Sequence, residues 1–221
     1  MLLLERLKAW IQAECADGVA VAFSGGIDST TLLAALTVCR QEQPFPLLVL
    51  TYASPFQAQQ EALRLGAPAQ VISGNPLEDA VLADNPPDRC YYCKRRIFGT
   101  FLSVAAGKGI RLLVEGTHAD DLGVYRPGRR ALQELGVRSP FAELGIHKAD
   151  IRLLAQALGV PNAGRPSTPC LATRFPYRTC LTAEALRQVE QGEAAFRRIL
   201  PQVNFRVRVH GDLARLEVPP E

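Results

Sequence analysis

The chain has 221 residues, and its 25 Lys and Arg against 22 Asp and Glu give a formal net charge of +3. A hydrophobic content of 48% with 21% charged residues excludes wholesale disorder, a collagen-like repeat and a coiled coil. No apolar run approaches the ~18 residues that span a bilayer, and the apolar run at 2–4 is too short for a signal peptide. The net charge does not argue for binding to nucleic acid. We therefore expect a cytoplasmic globular protein.

The first half of the chain alternates between short apolar runs and helical segments. We predict helices at 1–17, 29–40, 55–66 and from about 89 to 107, and strands at 19–23, 47–50, 69–72 and 110–114. Runs as short and apolar as 19–23 are typical of strands buried on both faces of a parallel sheet. The pattern therefore predicts an α/β fold with a Rossmann-like parallel sheet over residues 1–160.

The last third of the sequence is organised differently. A helix is predicted at 148–159, and a loop with four prolines and two cysteines follows at 161–180. A second helix is predicted from Thr182 to about Leu200, and alternating residues at 203–209 indicate a half-buried strand. Gly211 and Asp212 form a two-residue hairpin turn before a return strand at 213–218. We therefore predict a small C-terminal α+β domain over 161–221.

The segment SGGIDS at 24–29 lies between the first strand and its helix, where parallel sheets bind ligands. Its two glycines permit a sharp turn, and backbone N–H groups at a helix N-terminus favour an anion. The hydroxyls of Ser24, Ser29 and Thr30 add donors, and Asp28 is placed to reach Mg²⁺. The segment differs from the Walker loop because it has no lysine, and from the dinucleotide G-x-G-x-x-G.

This loop resembles the PP-loop of ATP pyrophosphatases. The resemblance implies a PP-loop ATP pyrophosphatase domain that cleaves ATP between its α and β phosphates and transfers AMP to an acceptor oxygen. It implies ATP contacts from the ends of the first, second and fourth strands, namely Ala22, Ser24, Gly25, Gly26, Asp28, Ser29, Thr30, Thr51, Gly116 and Asp121. The expected cofactors are ATP and Mg²⁺, with Asp28 as the Mg²⁺ ligand.

Further segments along nearly the whole chain resemble the LarE family of ATP-dependent sulfur transferases. They are TYASP at 51–55, RCYYCK at 89–94, EGTHADD at 115–121, YRPGR at 125–129, SP at 139–140, PCLATRFPY at 169–177 and RVRVHG at 206–211. The family implies conversion of a carboxylate on a pyridinium biscarboxylate mononucleotide into a thiocarboxylate. Departures are His118 for a usual Asn, Arg178 for a usual Gly, and an end at Glu221 where relatives continue.

Three of the six cysteines are candidates for sulfur chemistry. Cys90 and Cys93 lie three residues apart at a helix start, and Cys170 lies in the Pro-rich loop near Arg174. Three thiolates are able to hold a [4Fe–4S] cluster with one open iron. The rival chemistry, also implied by the family, makes Cys170 itself the sulfur donor and leaves dehydroalanine.

We expect Cys90, Cys93, Cys170, Asp28 and Arg174 to be catalytic, with Arg174 favouring a Cys170 thiolate. Two other interpretations of the cysteines stay open. The first is a zinc site, which would need a fourth ligand such as Cys180 or a histidine. The second is that two of the three cysteines are buried and take no part in the chemistry, while one thiol is reactive.

Two arginine clusters are candidates for binding a substrate phosphate. Arg126 and Arg129 follow the segment 115–121 and either clamp an anion or lie on a solvated surface. In the predicted hairpin, Arg206 faces Glu217 while Arg208 faces Arg215, and such a like-charge pair is destabilising unless an anion lies between. We therefore expect Arg206, Arg208 and Arg215 to bind the phosphate, the alternative being a solvent-exposed pair.

The leading hypothesis is thus a LarE-type sulfur transferase that acts on a small-molecule nucleotide, and we expect a homo-oligomer. A tRNA thiolase shares the adenylation chemistry but requires a broad basic surface or an RNA-binding domain, which this composition does not suggest. An amidating synthetase would leave the cysteines without a role. A non-catalytic nucleotide- or zinc-binding module is the alternative from a different class of protein.

Overall fold

The computed structural model describes residues 2–53, 69–160, 169–200 and 203–218. The predicted helix at 55–66 and the first part of the Pro-rich segment, 161–168, lie outside these ranges. The strands are β1 (Val19–Ala22), β2 (Leu47–Ala53), β3 (Ala69–Ser73), β4 (Leu112–Val114), β5 (Arg206–His210) and β6 (Leu213–Glu217). The described helices are α1 (Leu2–Glu14), α2 (Ile27–Glu42), α3 (Ala80–Ala83), α4 (Arg89–Ala106), α5 (Pro127–Glu134), α6 (Pro140–Glu143), α7 (Lys148–Ala157) and α8 (Ala183–Ile199). None of these helices is long and apolar enough to cross a membrane.

The first four strands form one parallel sheet in the order β3-β2-β1-β4. Every residue of β1 is buried, because the strand lies at the centre of the sheet and is covered on both faces. Val19 and Val21 pack with α1, α2 and α7, whereas Ala20 and Ala22 pack with α4 and α5. The Rossmann-like α/β fold expected from the alternating pattern is therefore confirmed.

The strand order places the loop after β1 between the ends of its two neighbours. β2 and β4 pair with opposite sides of β1, so the chain leaves the sheet in opposite directions at this point. Such a switch point opens a crevice at the carboxyl ends of the strands, where α/β proteins bind ligands. The segment 24–29 lies at this crevice.

The C-terminal part of the chain has its own small core and a two-stranded antiparallel sheet. β5 and β6 pair with Arg206 opposite Glu217 and Arg208 opposite Arg215, which is the register predicted from the turn at Gly211. The core contains Phe175, Leu181 and Leu186, together with Ala172, Val189 and Val207. The predicted boundary between residues 160 and 161 stays a prediction.

Candidate nucleotide and sulfur site

The turn after β1 leaves backbone amides without partners from its own helix. Gly25 has φ +75°, a conformation in which a side chain would be strained. Gly26 is the N-cap of α2, and no side chain caps the first turn of that helix. The N-terminal N–H groups of a helix lack intrahelical acceptors, so this turn is able to bind an anion.

Three hydroxyls hold the turn in shape. The Ser24 amide donates to Ser29 Oγ at 3.2 Å, and the two serine hydroxyls are 3.1 Å apart. Ser29 Oγ and Thr30 Oγ1 both donate to the carbonyl of Gly26, at 3.1 and 2.9 Å. These residues were predicted to bind ATP, and that role stays a prediction. A bound phosphate would have to replace some of these internal hydrogen bonds.

The loop after β4 makes a close approach to the same turn. A Cβ atom on Gly116 would lie 3.0 Å from the Ser29 amide nitrogen and 3.1 Å from the carbonyl carbon and Cβ of Asp28. Backbone atoms give way less easily than a flexible side chain, so glycine suits this close approach. Thr51 is partly buried within β2, whose observed end is three residues beyond the predicted one.

Lys148 places a positive charge beside the turn at 24–29, which has no lysine of its own. The Lys148 ammonium group lies 2.5 Å from Asp28 Oδ1, although 120 residues separate the two along the chain. Asp120 fixes the start of α7 by accepting hydrogen bonds from the Lys148 backbone N–H and from His147 Nδ1, both at 2.7 Å. Lys148 was not among the predicted site residues, because no local sequence pattern indicates a contact between the loop after β1 and a distant helix.

Asp120 and His147 shift each other's protonation. The pKa of Asp120 is lowered by its hydrogen bonds to His147 and to the Lys148 amide, and the pKa of His147 is raised by the same bond to Asp120. His118 lies beside this pair, with Nδ1 3.5 Å from Asp120 Oδ2. That His118 nitrogen is buried and has no hydrogen-bond partner among the described residues.

Asp121 and the two arginines after it form a braced turn. The buried Asp121 carboxylate pairs with Arg126 at 2.8 Å, and the Arg129 guanidinium donates to the carbonyls of Asp121 and Leu122 at 3.2 and 3.0 Å. Both arginines were expected to bind substrate. The structure gives them internal partners that shape this turn, so a role in substrate binding stays a prediction that requires these bonds to be shared.

The three candidate cysteines lie on two segments of the structure. Cys90 and Cys93 lie in the first turns of α4, and Cys170 precedes the 3₁₀ turn Leu171–Arg174. Cys90 and Cys170 are exposed, and Cys93 is partly buried. Burial, together with the nearby Cys170 and Cys90, raises the pKa of the Cys93 thiol to about 11.

The donor chemistry fits an iron–sulfur cluster better than zinc. Three thiols match the three protein ligands of a cluster with an open iron, and two of them are accessible. In the described part of the chain, however, no group of three or more His, Cys, Asp or Glu side chains is close enough to hold an ion. Binding a cluster would therefore require these side chains to converge.

Arg174 has a different set of partners from the one expected. Its guanidinium is buried and donates to Glu193 Oε1 at 2.6 Å and Oε2 at 3.2 Å, and to Thr173 Oγ1 at 2.9 Å. Glu193 also accepts from the Val207 amide, at 3.1 Å. Arg174 therefore connects the cysteine turn to α8 and β5, and its predicted effect on the Cys170 thiol stays a prediction.

Glu193 was not among the predicted site residues, although the sequence contains a signal for its buried position. Leu186, Val189 and Glu193 recur at the spacing of one helical stripe, and all three are buried. A carboxylate on an apolar stripe indicates a buried cationic partner, because an unpaired charge inside a protein is costly. The partner in this structure is Arg174.

Arg208 and Arg215 of the hairpin line a groove beside the cysteine turn, whereas the third predicted arginine, Arg206, does not line it. The groove has a volume of about 240 Å³ and is bordered by Thr173, Arg174, Phe175, Pro176, Arg208, His210, Arg215 and Glu217. Arg208 donates to the carbonyl of Thr173, and both Arg208 and Arg215 pair with Glu217, at 2.7 and 2.5 Å. Glu217 thus lies between the opposed arginines and offsets one of their two positive charges, so phosphate binding by this pair stays a prediction.

Three curated proteins resemble this chain over most of its length. A synthase of pyridinium-3,5-bisthiocarboxylic acid mononucleotide from Lactiplantibacillus plantarum is 36% identical over 227 residues, covering 99% of this chain and 82% of that protein. The uncharacterized protein slr1717 of Synechocystis is 37% identical over 213 residues, covering 93% of this chain and 78% of that protein. The uncharacterized protein MJ0830 of Methanocaldococcus jannaschii is 30% identical, covering 90% and 77%. No protein-family model matches the chain.

Proposed function

Since this chain belongs to the LarE family, we propose that it is an ATP-dependent sulfur transferase. The proposed substrate is pyridinium-3,5-biscarboxylate mononucleotide, one carboxylate of which becomes a thiocarboxylate. The observation that carries the proposal is the 36% identity, over 99% of the chain, to a synthase of the bisthiocarboxylic acid mononucleotide. The crevice at the carboxyl end of β1 supports it, because the uncapped amides there suit a departing pyrophosphate.

The proposed first step activates the carboxylate. A carboxylate oxygen attacks the α-phosphorus of ATP, the bond to the β-phosphate oxygen breaks, and pyrophosphate leaves into the turn at 24–29. The amides around Gly25 and Gly26 neutralise its charge, and Asp28 is the proposed Mg²⁺ ligand. Lys148 pairs with Asp28 in the structure, and we propose that its ammonium group turns to the phosphates when Asp28 binds Mg²⁺.

The proposed second step transfers sulfur to the acyl adenylate. In the sacrificial route Cys170 Sγ attacks the acyl carbon and AMP leaves, which forms a thioester. Loss of the Cα proton and cleavage of the Cβ–S bond then release the thiocarboxylate and leave dehydroalanine at position 170. In the other route a [4Fe–4S] cluster held by Cys90, Cys93 and Cys170 would supply sulfide as the nucleophile.

We place the substrate's phosphate in the groove between the hairpin and the cysteine turn. Arg206 has no ion-pair partner among the described residues, while Arg208 and Arg215 share Glu217. In the groove itself, the two guanidinium groups of Arg208 and Arg215 against the one carboxylate of Glu217 leave a local excess of positive charge. A phosphate bound there would place the rest of the nucleotide close to Cys170, since Arg208 already donates to Thr173.

Mass spectrometry distinguishes the two sulfur routes. The anaerobically purified chain, with its iron and sulfide counted, is incubated with ATP, Mg²⁺ and the biscarboxylate nucleotide. The proposal expects AMP, pyrophosphate and a product in which sulfur replaces one carboxylate oxygen. The sacrificial route predicts a protein that has lost the elements of H₂S at Cys170, whereas the cluster route predicts unchanged protein mass. The Cys180→Ser variant is the control and should form the same product. If neither the unmodified chain nor this control forms thiocarboxylate, the proposal is refuted.

We further propose that the enzyme is a cytoplasmic homo-oligomer. All six cysteines are free in the structure, which suits a reducing compartment. Light scattering of the purified chain tests the oligomeric state, and a monomeric mass at micromolar concentration would contradict it.

A further inference from the structure

Asn85 occupies an unusual place in the turn that precedes α4. Its side chain is fully buried and its φ is +53°, a left-handed conformation that is uncommon for residues other than glycine. The residue is followed by two prolines and then by the helix that carries Cys90 and Cys93. A buried amide with this backbone conformation has to be held by specific partners.

The partners of Asn85 come from both cysteine-bearing segments. Its Nδ2 donates to the carbonyl of Pro176 at 2.8 Å, and its backbone carbonyl accepts from the amide of Arg178 at 2.9 Å. Its Oδ1 accepts from the guanidinium of Arg89, the first residue of α4. Pro176 and Arg178 follow the turn that contains Cys170, so one side chain connects that turn to the start of the C-x-x-C helix.

Arg89 continues this connection to sulfur. Its guanidinium is buried, with a relative exposure of 6%, and its second nitrogen donates to Cys90 Sγ at 3.8 Å. In the described residues no carboxylate lies within ion-pair distance of Arg89. The same guanidinium therefore contacts Asn85 on one side and the sulfur of Cys90 on the other, which extends the bridge made by Asn85 to the first cysteine of α4.

We propose that Asn85 and Arg89 are positioning residues of the sulfur site. Asn85 holds the Cys170 segment against the start of α4, and Arg89 provides the positive charge that faces sulfur at Cys90. The inference rests on the proposed function in that it gives these cysteines a shared task. The geometry on which it depends can be tested without ATP or substrate.

The first test measures how closely the two cysteine segments are held. The full chain is treated with a short bifunctional maleimide, and the cross-link between Cys170 and the peptide 90–94 is quantified by mass spectrometry. Asn85→Gly keeps the backbone conformation and the bond from the Arg178 amide but removes the side chain. We expect the cross-linked fraction to fall roughly fivefold, the effect of losing a buried hydrogen bond, while single labelling of each thiol by a monofunctional maleimide is unchanged.

A matched control separates positioning from general destabilisation. Ile151→Val removes one buried methyl group from the opposite layer of the sheet and lowers stability without touching the cysteine segments. We expect this control to leave the cross-linked fraction as in the unmodified chain. An equal loss in Ile151→Val, or an unchanged fraction in Asn85→Gly, would overturn the role of Asn85.

The second test examines the charge of Arg89. Alkylation of Cys90 by anionic iodoacetate is compared with alkylation by neutral iodoacetamide in the unmodified chain, Arg89→Gln and Arg89→Lys. We expect the iodoacetate-to-iodoacetamide rate ratio to fall about threefold or more in Arg89→Gln and to be restored in Arg89→Lys. An unchanged ratio in Arg89→Gln would overturn the role of Arg89.

Kinetics then distinguish this inference from the proposed function. Carboxylate-dependent exchange between ATP and pyrophosphate reports adenylation, which does not involve the cysteines. We expect Asn85→Gly to keep that exchange and to lose at least fivefold in the rate of thiocarboxylate formation. An unmodified chain without exchange would refute the proposed function, whereas equal loss of both steps in Asn85→Gly would refute the positioning role.

Discussion

Removal of the Glu193 carboxylate should destabilise the C-terminal part of the protein severely. The side chains of Glu193 and Arg174 are each 1% exposed, and Glu193 accepts hydrogen bonds from Arg174, Arg197 and the Val207 amide. Truncating one member of such a pair leaves a buried cation without compensation, which costs about 3–5 kcal/mol. That amount is a large fraction of the ~5–15 kcal/mol that stabilises a typical domain.

The experiment is a double-mutant cycle measured by urea unfolding. Glu193→Leu and Arg174→Met are each expected to lower the free energy of unfolding by about 3–5 kcal/mol, while the double variant is expected to lose far less, because neither charge remains buried. Arg138→Met is the control, since Arg138 makes its ion pairs at the exposed surface. Costs below about 1 kcal/mol for the single variants, or additive costs in the double variant, would refute the reasoning.

The same pair predicts a dependence of stability on pH. Burial raises the pKa of Glu193, but hydrogen bonds from Arg174 and Val207 outweigh it, and the net pKa lies below the usual value. A carboxyl group with a depressed folded-state pKa stabilises the protein above its unfolded pKa, near 4.5, and that stability is lost as the pH falls through the folded pKa. When the pH is lowered below the unfolded pKa, the free energy of unfolding of the unmodified chain should therefore fall more than that of the Glu193→Leu variant.

Four other variants test the proposed site. Gly116→Ala should raise the KM for ATP about tenfold, because the added methyl group would press on the backbone of the turn at 24–29. The control Gly123→Ala, where an added Cβ atom meets nothing, should leave the KM for ATP unchanged. Equal effects of the two variants on the KM would contradict the prediction. Lys148→Met should raise the KM for ATP by a similar factor with little change in unfolding, and an unchanged KM would remove Lys148 from phosphate binding. Arg178→Gly should stabilise the chain by about 0.5–1 kcal/mol, because Arg178 has φ +65°, and a lower urea midpoint would show that no strain is stored there. Arg208→Ala should raise the KM for the substrate far more than that for ATP, and equal effects would defeat the assignment of the phosphate to the groove.

The sheet and the hairpin were predictable from the sequence because local patterns determine them. The fully apolar run at 19–22 predicted a central strand, and the turn at Gly211 fixed the register that sets Arg208 opposite Arg215. The sharp turn at 24–29 was also predictable, because adjacent glycines and hydroxyls at a helix start favour such a turn; that it binds phosphate stays a proposal. In each case the residues that define the feature are neighbours in the chain.

The contacts that complete the site join residues far apart in sequence. Lys148 reaches Asp28 across 120 residues, and Asn85 reaches Pro176 across 91. Arg174 was expected to act on the neighbouring sulfur, but a buried guanidinium selects a carboxylate with which it makes two hydrogen bonds. The glycine that is usual in the family at position 178 would avoid backbone strain, because this position has a left-handed backbone conformation.

Isotope transfer from the substrate to AMP tests the central claim most directly. The biscarboxylate nucleotide is labelled with ¹⁸O in its carboxylates and incubated with the enzyme, ATP and Mg²⁺, and the phosphorus-containing products are analysed by mass spectrometry. If the turn at Gly25 and Gly26 binds a departing pyrophosphate while the carboxylate attacks the α-phosphorus, AMP carries one ¹⁸O atom and pyrophosphate carries none. Unlabelled AMP, or ADP formed together with ¹⁸O-labelled inorganic phosphate, would contradict it.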